Sequence, residues 1–364
     1  MAAAELREPD RVPLDISILR EPYENLKESL GIHGPDPSER LDTAWNAMIG
    51  MSQEALRRLH IDIVSVLPDP PKLRGVHGEV DGTEFDQWGV GRRWIGSYNE
   101  MVFYPLGSVT EIDEVEEYDW PRPDAFGDMT TLRRRALALA ANTDFALSVR
   151  GGCVFERSWY LVGLQKFLKM LMTRRKLAES ILDHVLRSTM EYCSCVLDEV
   201  GDYVQIVKTN DDLGTQNGPL LSPTIYREVI MPRHKKLFDL IRSKTDAKIF
   251  YHSCGSIRQI IPDLIKAGID ILNPIQPFAK DMNPEEVKKE FGSMICFHGG
   301  VDIQRVLPFG STEDIKLHVR ELIKWLGQGG GYMLAPAHNI QPDVTADKII
   351  ALYDSAYQYG RYPL

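Results

Sequence analysis

The sequence predicts an α/β protein of the (β/α)8 TIM-barrel class, and three observations predict it. From about residue 145, short apolar runs alternate with longer amphipathic ones, as parallel strands joined by right-handed helical crossovers do. Metal-binding and carboxylate side chains recur just after those runs, where barrel enzymes carry their reactive groups. The chain has 364 residues, 43% of them hydrophobic, enough for one large core.

The elements follow in order. An amphipathic helix, LDTAWNAMIGMSQEALRRLHI, leads into the strand IDIVSVLPD. Residues 70–128 break the pattern with Gly, aromatics and period-two alternation, and read as a β-hairpin-rich insertion or flap within the single domain 1–364. Its aromatics include Trp88, Trp94, Tyr98 and Phe103, and EYDWPRPDAFGDM is a proline-broken connector. Strands are predicted at 145–151, 203–209, 248–252, 271–275, 294–300 and 331–336, with helices over ERSWYLVGLQKFLKMLM, PTIYREVIMPRHKKLFDLIRS, SIRQIIPDLIKAG, NPEEVKKEF and TEDIKLHVRELIKWLGQ. The last carries Ile315, Leu317, Val319, Leu322, Ile323 and Leu326 as a helical stripe. Seven strands imply a closed barrel with one strand unrecognised. An open doubly wound sheet is the alternative, but no G-x-G-x-x-G follows the first strand.

A net charge of -10 argues against nucleic acid and anionic membranes as partners. No apolar run approaches the roughly 20 residues of a membrane helix, and MAAAELREPDRVPLDI is no secretory signal. Five scattered cysteines fit a reduced, cytoplasmic protein. Cys193 and Cys195 lie two apart on a helix, about 200° around its axis, and read as packed thiols.

The strand ends carry the chemistry. His252-x-Cys254 places a nitrogen and a thiol on one side of a strand end, the donor types zinc prefers, with Gly255 allowing a tight turn. His338 after the last strand is the best third ligand. Glu156, Asp211 and Asp212 are candidate catalytic acids or ligand-orienting groups. Glu156 also reads as a helix start, and Asp211-Asp212 as a capping turn. Gln276, Asn339 and His298 are candidate substrate contacts, each equally readable as structural. Cys296 should point into the barrel core.

FYHSCGSIRQIIPDLIKAGIDILNPIQP and FHGGVDIQRVLPFGSTEDIKLHVRELIKWLGQGGGYMLAPAHNIQPDV resemble the uroporphyrinogen decarboxylase superfamily, and within it the cobamide-dependent methyltransferase branch. The resemblance runs from roughly residue 10 to the end and is most specific from 200 to 345. It implies a barrel and a zinc held by a His-x-Cys pair plus a third ligand, often cysteine, in a segment shaped like A-P-G-C-G-I. Here that segment is APAHNI, so His338 stands where cysteine would be. Fewer thiolates leave a more electrophilic zinc, suited to polarising an oxygen. The implied activity is methyl transfer between a small methylated substrate, a methyl ether of the O-demethylase type, and a corrinoid (cobalamin) on a separate partner protein, since the barrel uses nearly all of this chain. A decarboxylase and a non-catalytic zinc subunit that docks a corrinoid protein are the alternatives. The arginine-rich segment of the decarboxylases, similar to M-R-Q-A-G-R, is missing, and RVPLDISILREPYENLKESLG occupies its stretch. Whether the protein is a homodimer stays open.

Overall fold

Among the described residues, ten strands organise the protein. The first, β1 (Ile63–Ser65), precedes a small antiparallel sheet of β2 (Glu84–Phe85), β3 (Gly91–Ile95) and β4 (Tyr98–Phe103). Six further strands follow: β5 (Ala146–Gly152), β6 (Ile206–Asn210), β7 (Lys248–His252), β8 (Ile271–Ile275), β9 (Cys296–Val301) and β10 (Tyr332–Pro336). The structure is a computed structural model that describes residues 1–34, 36, 38–39, 49–69, 82–96 and 98–364. β1 and β5 to β10 pair in parallel, in sequence order, as one curved sheet with helices outside it. Every residue of β8, β9 and β10 is buried, as strands covered on both faces must be, and this is why they read as unbroken apolar runs.

The missing eighth strand is the N-terminal segment 13–18. Leu14 bridges Leu334 and Ile18 bridges Ile340, both in parallel. Asp15 N–H donates to Leu334 O at 3.0 Å, Leu334 N–H to Pro13 O at 2.9 Å and Asp62 N–H to Leu14 O at 2.9 Å. The segment therefore lies between β10 and the start of β1 and closes the barrel. Its sequence, LDISI, alternates: Leu14 and Ile18 are buried apolar groups, while Asp15 turns to Lys208 and His298. The ladder is too short to stand out from sequence. Asp62 latches it, accepting Arg11 at 2.8 and 2.6 Å and the Leu14 N–H at 2.7 Å. Below, the 3-10 turn Ala2–Glu5 plugs the barrel, packing Ala3 and Ala4 among Ile63, Ile206, Phe250, Ile271, Cys296 and Met333.

Several expected helices are subdivided. The run 156–172 forms Phe155–Val162 and Leu164–Thr173, broken at Gly163 with φ +93°. In 223–243 a π-turn, Tyr226–Ile230, precedes helix Met231–Lys244, where Pro232 supplies no N–H for a regular turn. SIRQIIPDLIKAG is helical only over Ile261–Ala267.

The insertion expected at 70–128 begins outside the described residues, as do residues 41–48 of the helix expected at 41–61, whose described part is helical over Gln53–Arg58. Its described part carries β2, β3 and β4. Trp88 is buried edge-on against Trp120 and Phe126, whereas Trp94 and Phe103 are 43% and 49% exposed. The side chain of Tyr98 lies outside the described residues. Asp86 accepts from Arg157 at 3.2 Å, both nearly buried, and so docks the flap on helix Phe155–Val162. All five cysteines are free. Among the described residues no helix is long and apolar enough to cross a membrane.

Replacing Asp62 with Ala leaves Arg11 and the Leu14 N–H without their acceptor. Urea unfolding should then show a loss of about 2 kcal/mol, within the usual cost of orphaned part-buried donors.

Candidate metal and catalytic site

β6 and β7 end side by side at the mouth, with Asn210 opposite His252. The following turns, 212–215 and 253–255, pack backbone against backbone. Gly255 has φ +83°, and a Cβ there would sit 2.6 Å from Thr215 O. A Cβ at Gly214 would sit 2.5 Å from Cys254 O. Only glycine fits such an approach. It brings Asp212 to the His-x-Cys pair: Cys254 N–H donates to Asp212 Oδ1 at 2.8 Å, and His252 Nε2 lies 3.6 Å from the same oxygen. His252 Nε2 is also 3.4 Å from Cys254 Sγ. Donor atoms of Asp212, His252 and Cys254 all lie within 4.8 Å of one another, on partly exposed side chains.

His252 is held from behind. Its Nδ1 meets Asn273 Oδ1 at 2.5 Å, Asn273 Nδ2 meets His298 Nδ1 at 2.7 Å, and His298 Nε2 meets Asp15 Oδ2 at 3.1 Å. Lys208 Nζ stands 3.3 Å from the same Asp15 oxygen. Burial opposes ionisation of Asp15. The Lys208 charge, the His298 hydrogen bond and the Ile16 N–H outweigh it and hold the carboxyl at about 2. Burial lowers the pKa of His298.

The other expected site residues take varied positions. The His338 ring lies 6.4 Å from that of His252, and burial first, then the nearby His252, pushes its pKa to about 4, leaving a neutral imidazole. Glu156 is buried, accepts from Tyr160 Oη and Asn210 Nδ2, and is raised to about 7 by burial and then by the Asp212 charge. Cys254 is raised well above an ordinary thiol by burial and by the carboxylates of Asp212 and Glu156. Gln276 accepts the Gly255 N–H at 2.9 Å and lines a cleft of about 130 Å³ with Gln216, Phe278, Gln304 and His338.

Three expected site residues are otherwise engaged. Asp211, 1% exposed, accepts Val154 N–H, Glu156 N–H and His234 Nε2–H. It thereby caps helix Phe155–Val162, whose own N-cap, Val154, offers no side-chain acceptor. It lies beside Glu156 and Cys153 in a second, fully buried group, but its oxygens are taken up by those donors. His298, expected to face substrate, is buried with both nitrogens committed to Asp15 and Asn273. Asn339 accepts from Ser17 Oγ at 2.8 Å and stitches the closing segment to the loop after β10. Reading the sequence missed Asp15, Asn273, Asn210 and Tyr160. An Asn inside the otherwise apolar ILNPI was the one local signal.

A zinc ion fits this donor set. Nitrogen, thiol sulfur and carboxylate oxygen converge from short segments, and His338 adds a neutral imidazole nearby. Burial, and then the carboxylates of Asp212 and Glu156, raise the Cys254 thiol, and those two acids beside the donor atoms give the pocket the negative surroundings that favour a divalent cation.

A depressed Asp15 contributes stability that is present above its unfolded pKa near 4 and is lost as pH falls to about 2. The shift corresponds to about 2 kcal/mol. Asp15→Asn should lower stability at pH 7 by about that amount and flatten the acid limb of a pH–stability curve measured by denaturant unfolding.

Comparison with known proteins places this geometry. The family model for uroporphyrinogen decarboxylase (URO-D) matches residues 104–359. Uroporphyrinogen decarboxylases of Coxiella burnetii strains are 20% identical over 195 residues, 52% of this chain and 50% of theirs, so the chain spans about half the length of these curated relatives. A methyltransferase from Methanosarcina mazei superposes with a TM-score of 0.67 at 18% identity, covering 98% of this chain and 97% of that one. That likeness is one of fold. With the family match running from the flap to the C-terminal helix, the chain belongs to the uroporphyrinogen decarboxylase family.

Proposed function

We propose that the protein is a zinc-dependent methyltransferase that moves a methyl group between a small methylated substrate, a methyl ether, and the corrinoid of a partner protein. One observation carries this reading: oxygen, nitrogen and sulfur donors of Asp212, His252 and Cys254 within 4.8 Å at the barrel mouth. The fold likeness to a methyltransferase supports it.

His252 and Cys254 are the fixed ligand pair, and His338 and Asp212 offer the remaining donors from either side. Zinc held there supplies a Lewis acid for the ether oxygen and a counter-charge for the Cys254 thiolate. The chain's own groups do the rest. Glu156, raised to about 7, keeps a proton available close to neutral pH and delivers it to the departing oxygen. Tyr160 and Asn210 hold its two oxygens in place. Gln276 and Phe278 border the cleft beside His338, where the substrate body would lie, and the partner's corrinoid would approach the same strand ends from above. The free thiols fit a reducing, cytoplasmic setting.

Decarboxylation is the second reading, favoured by the family match. It gives His252, Cys254 and His338 no task. The stretch that would supply carboxylate-gripping arginines is instead the barrel's closing segment, with Arg11 bound to Asp62.

Cys254→Ser should lose most bound zinc, measured by metal analysis after dialysis against a weak chelator, and nearly all methyl transfer to cobalamin, followed by absorbance with a panel of methyl ethers. Its circular dichroism should stay unchanged. Turnover of uroporphyrinogen with no methyl transfer from any donor would overturn the reading. The rate should fall as pH rises through about 7, and Glu156→Gln should remove that limb with a loss on the order of a hundredfold.

A further inference from the structure

We infer that Asp15, acting through His298 and Asn273, is the positioning residue that sets the tautomer of His252 and so readies its Nε2 as a ligand. The inference rests on the zinc reading above and extends it to residues on three other staves of the barrel.

The argument is one of donors and acceptors. Asp15 is a carboxylate beside Lys208 and has no proton to give, so the 3.1 Å contact requires His298 to donate from Nε2. The neutral His298 ring then has a bare Nδ1. Asn273 must turn its Nδ2–H towards that nitrogen at 2.7 Å, because the opposite amide orientation would set two lone pairs against each other. Asn273 Oδ1 is thereby left facing His252 Nδ1 at 2.5 Å, which must carry the proton. His252 Nε2 is left bare, and it is the nitrogen aimed at Cys254 Sγ and Asp212. Each link excludes the alternative at the next, so one carboxylate on the closing segment fixes a ring at the end of β7. Ligand histidines are commonly oriented by a carboxylate or carbonyl on the other nitrogen. Here the carboxylate is two side chains removed.

Two variants break the relay and one short-circuits it. Asp15→Ala and Asn273→Leu should each weaken zinc binding by about 10- to 100-fold, read by competition with a chromophoric chelator. Asn273→Asp places a carboxylate directly on His252 Nδ1–H and should bind zinc within about threefold of wild type. In that background Asp15→Ala should cost nothing further, whereas a merely structural Asp15 would cost as much as before. Long-range 1H–15N spectra of metal-free, histidine-labelled protein should show His252 protonated at Nδ1, and Asp15→Ala should add the Nε2-protonated form. The relay is overturned if Asp15→Ala binds zinc like wild type, if its loss persists beside Asn273→Asp, or if metal-free wild type carries the His252 proton on Nε2. Wild-type protein that takes up no zinc would sink the zinc reading instead, and the spectra would still decide the tautomer.

Discussion

A buried carboxylate at the seam of the barrel governs much of this structure. Asp15 sits on the segment that closes the gap between β10 and β1, with its side chain turned into a polar layer of Lys208, Ser65 and His298. A charge so placed is tolerable only when paired and hydrogen-bonded. Lys208 arrives from β6 and His298 from β9, on opposite sides of the sheet order. Closing the barrel and neutralising Asp15 are thus one event, and the same event orders the residues behind the mouth.

At the mouth the chemistry is divided between adjacent residues. Asp211 and Asp212 are neighbours in sequence, yet one is a fully buried helix cap and the other a 36% exposed member of the donor group. The end of β6 explains the split: Asp211 N–H still bonds His252 O beside the ladder, whereas Asp212 opens the turn beyond it. Glu156 lies where both meet: its N–H is held by Asp211 and its carboxyl feels the charge of Asp212. A carboxyl raised by burial beside an ionised one is a familiar way of obtaining acid and base from the same residue types.

The flap joins this centre through charged, aromatic and hydrogen-bonded contacts. Arg157, the residue after Glu156, pairs with Asp86 and stacks over Trp88 and Tyr160. Tyr118 Oη donates to Trp88 O at 2.6 Å. Movement of the flap would therefore be felt by helix Phe155–Val162, and with it by Glu156 and Tyr160. The apolar tip residues Trp94 and Ile95 stay exposed while the base is locked down.

What the sequence determined by itself was whatever depends on local period and residue type. The strands at 248–252 and 271–275 were legible to the residue, because a run of buried positions, Ile249–Tyr251 in the first and all five in the second, reads as an unbroken apolar segment. His252-x-Cys254 was legible because two residues on one strand end share a direction whatever surrounds them. The eighth stave was not, since LDISI is short and its parallel bridges, to Leu334 and Ile340, reach across nearly the chain's full length. Nor were the fates of Asp211, His298 and Asn339: each has the right chemistry at a strand end, and only the tertiary structure supplied the backbone N–H groups, the Asp15 carboxylate and the Ser17 hydroxyl that occupy them. Asn273 and Asp15 became visible for the same reason. A hydrogen-bond chain across residues 15, 298, 273 and 252 has no period in sequence, and exists only once the barrel has closed and brought four distant strand segments together.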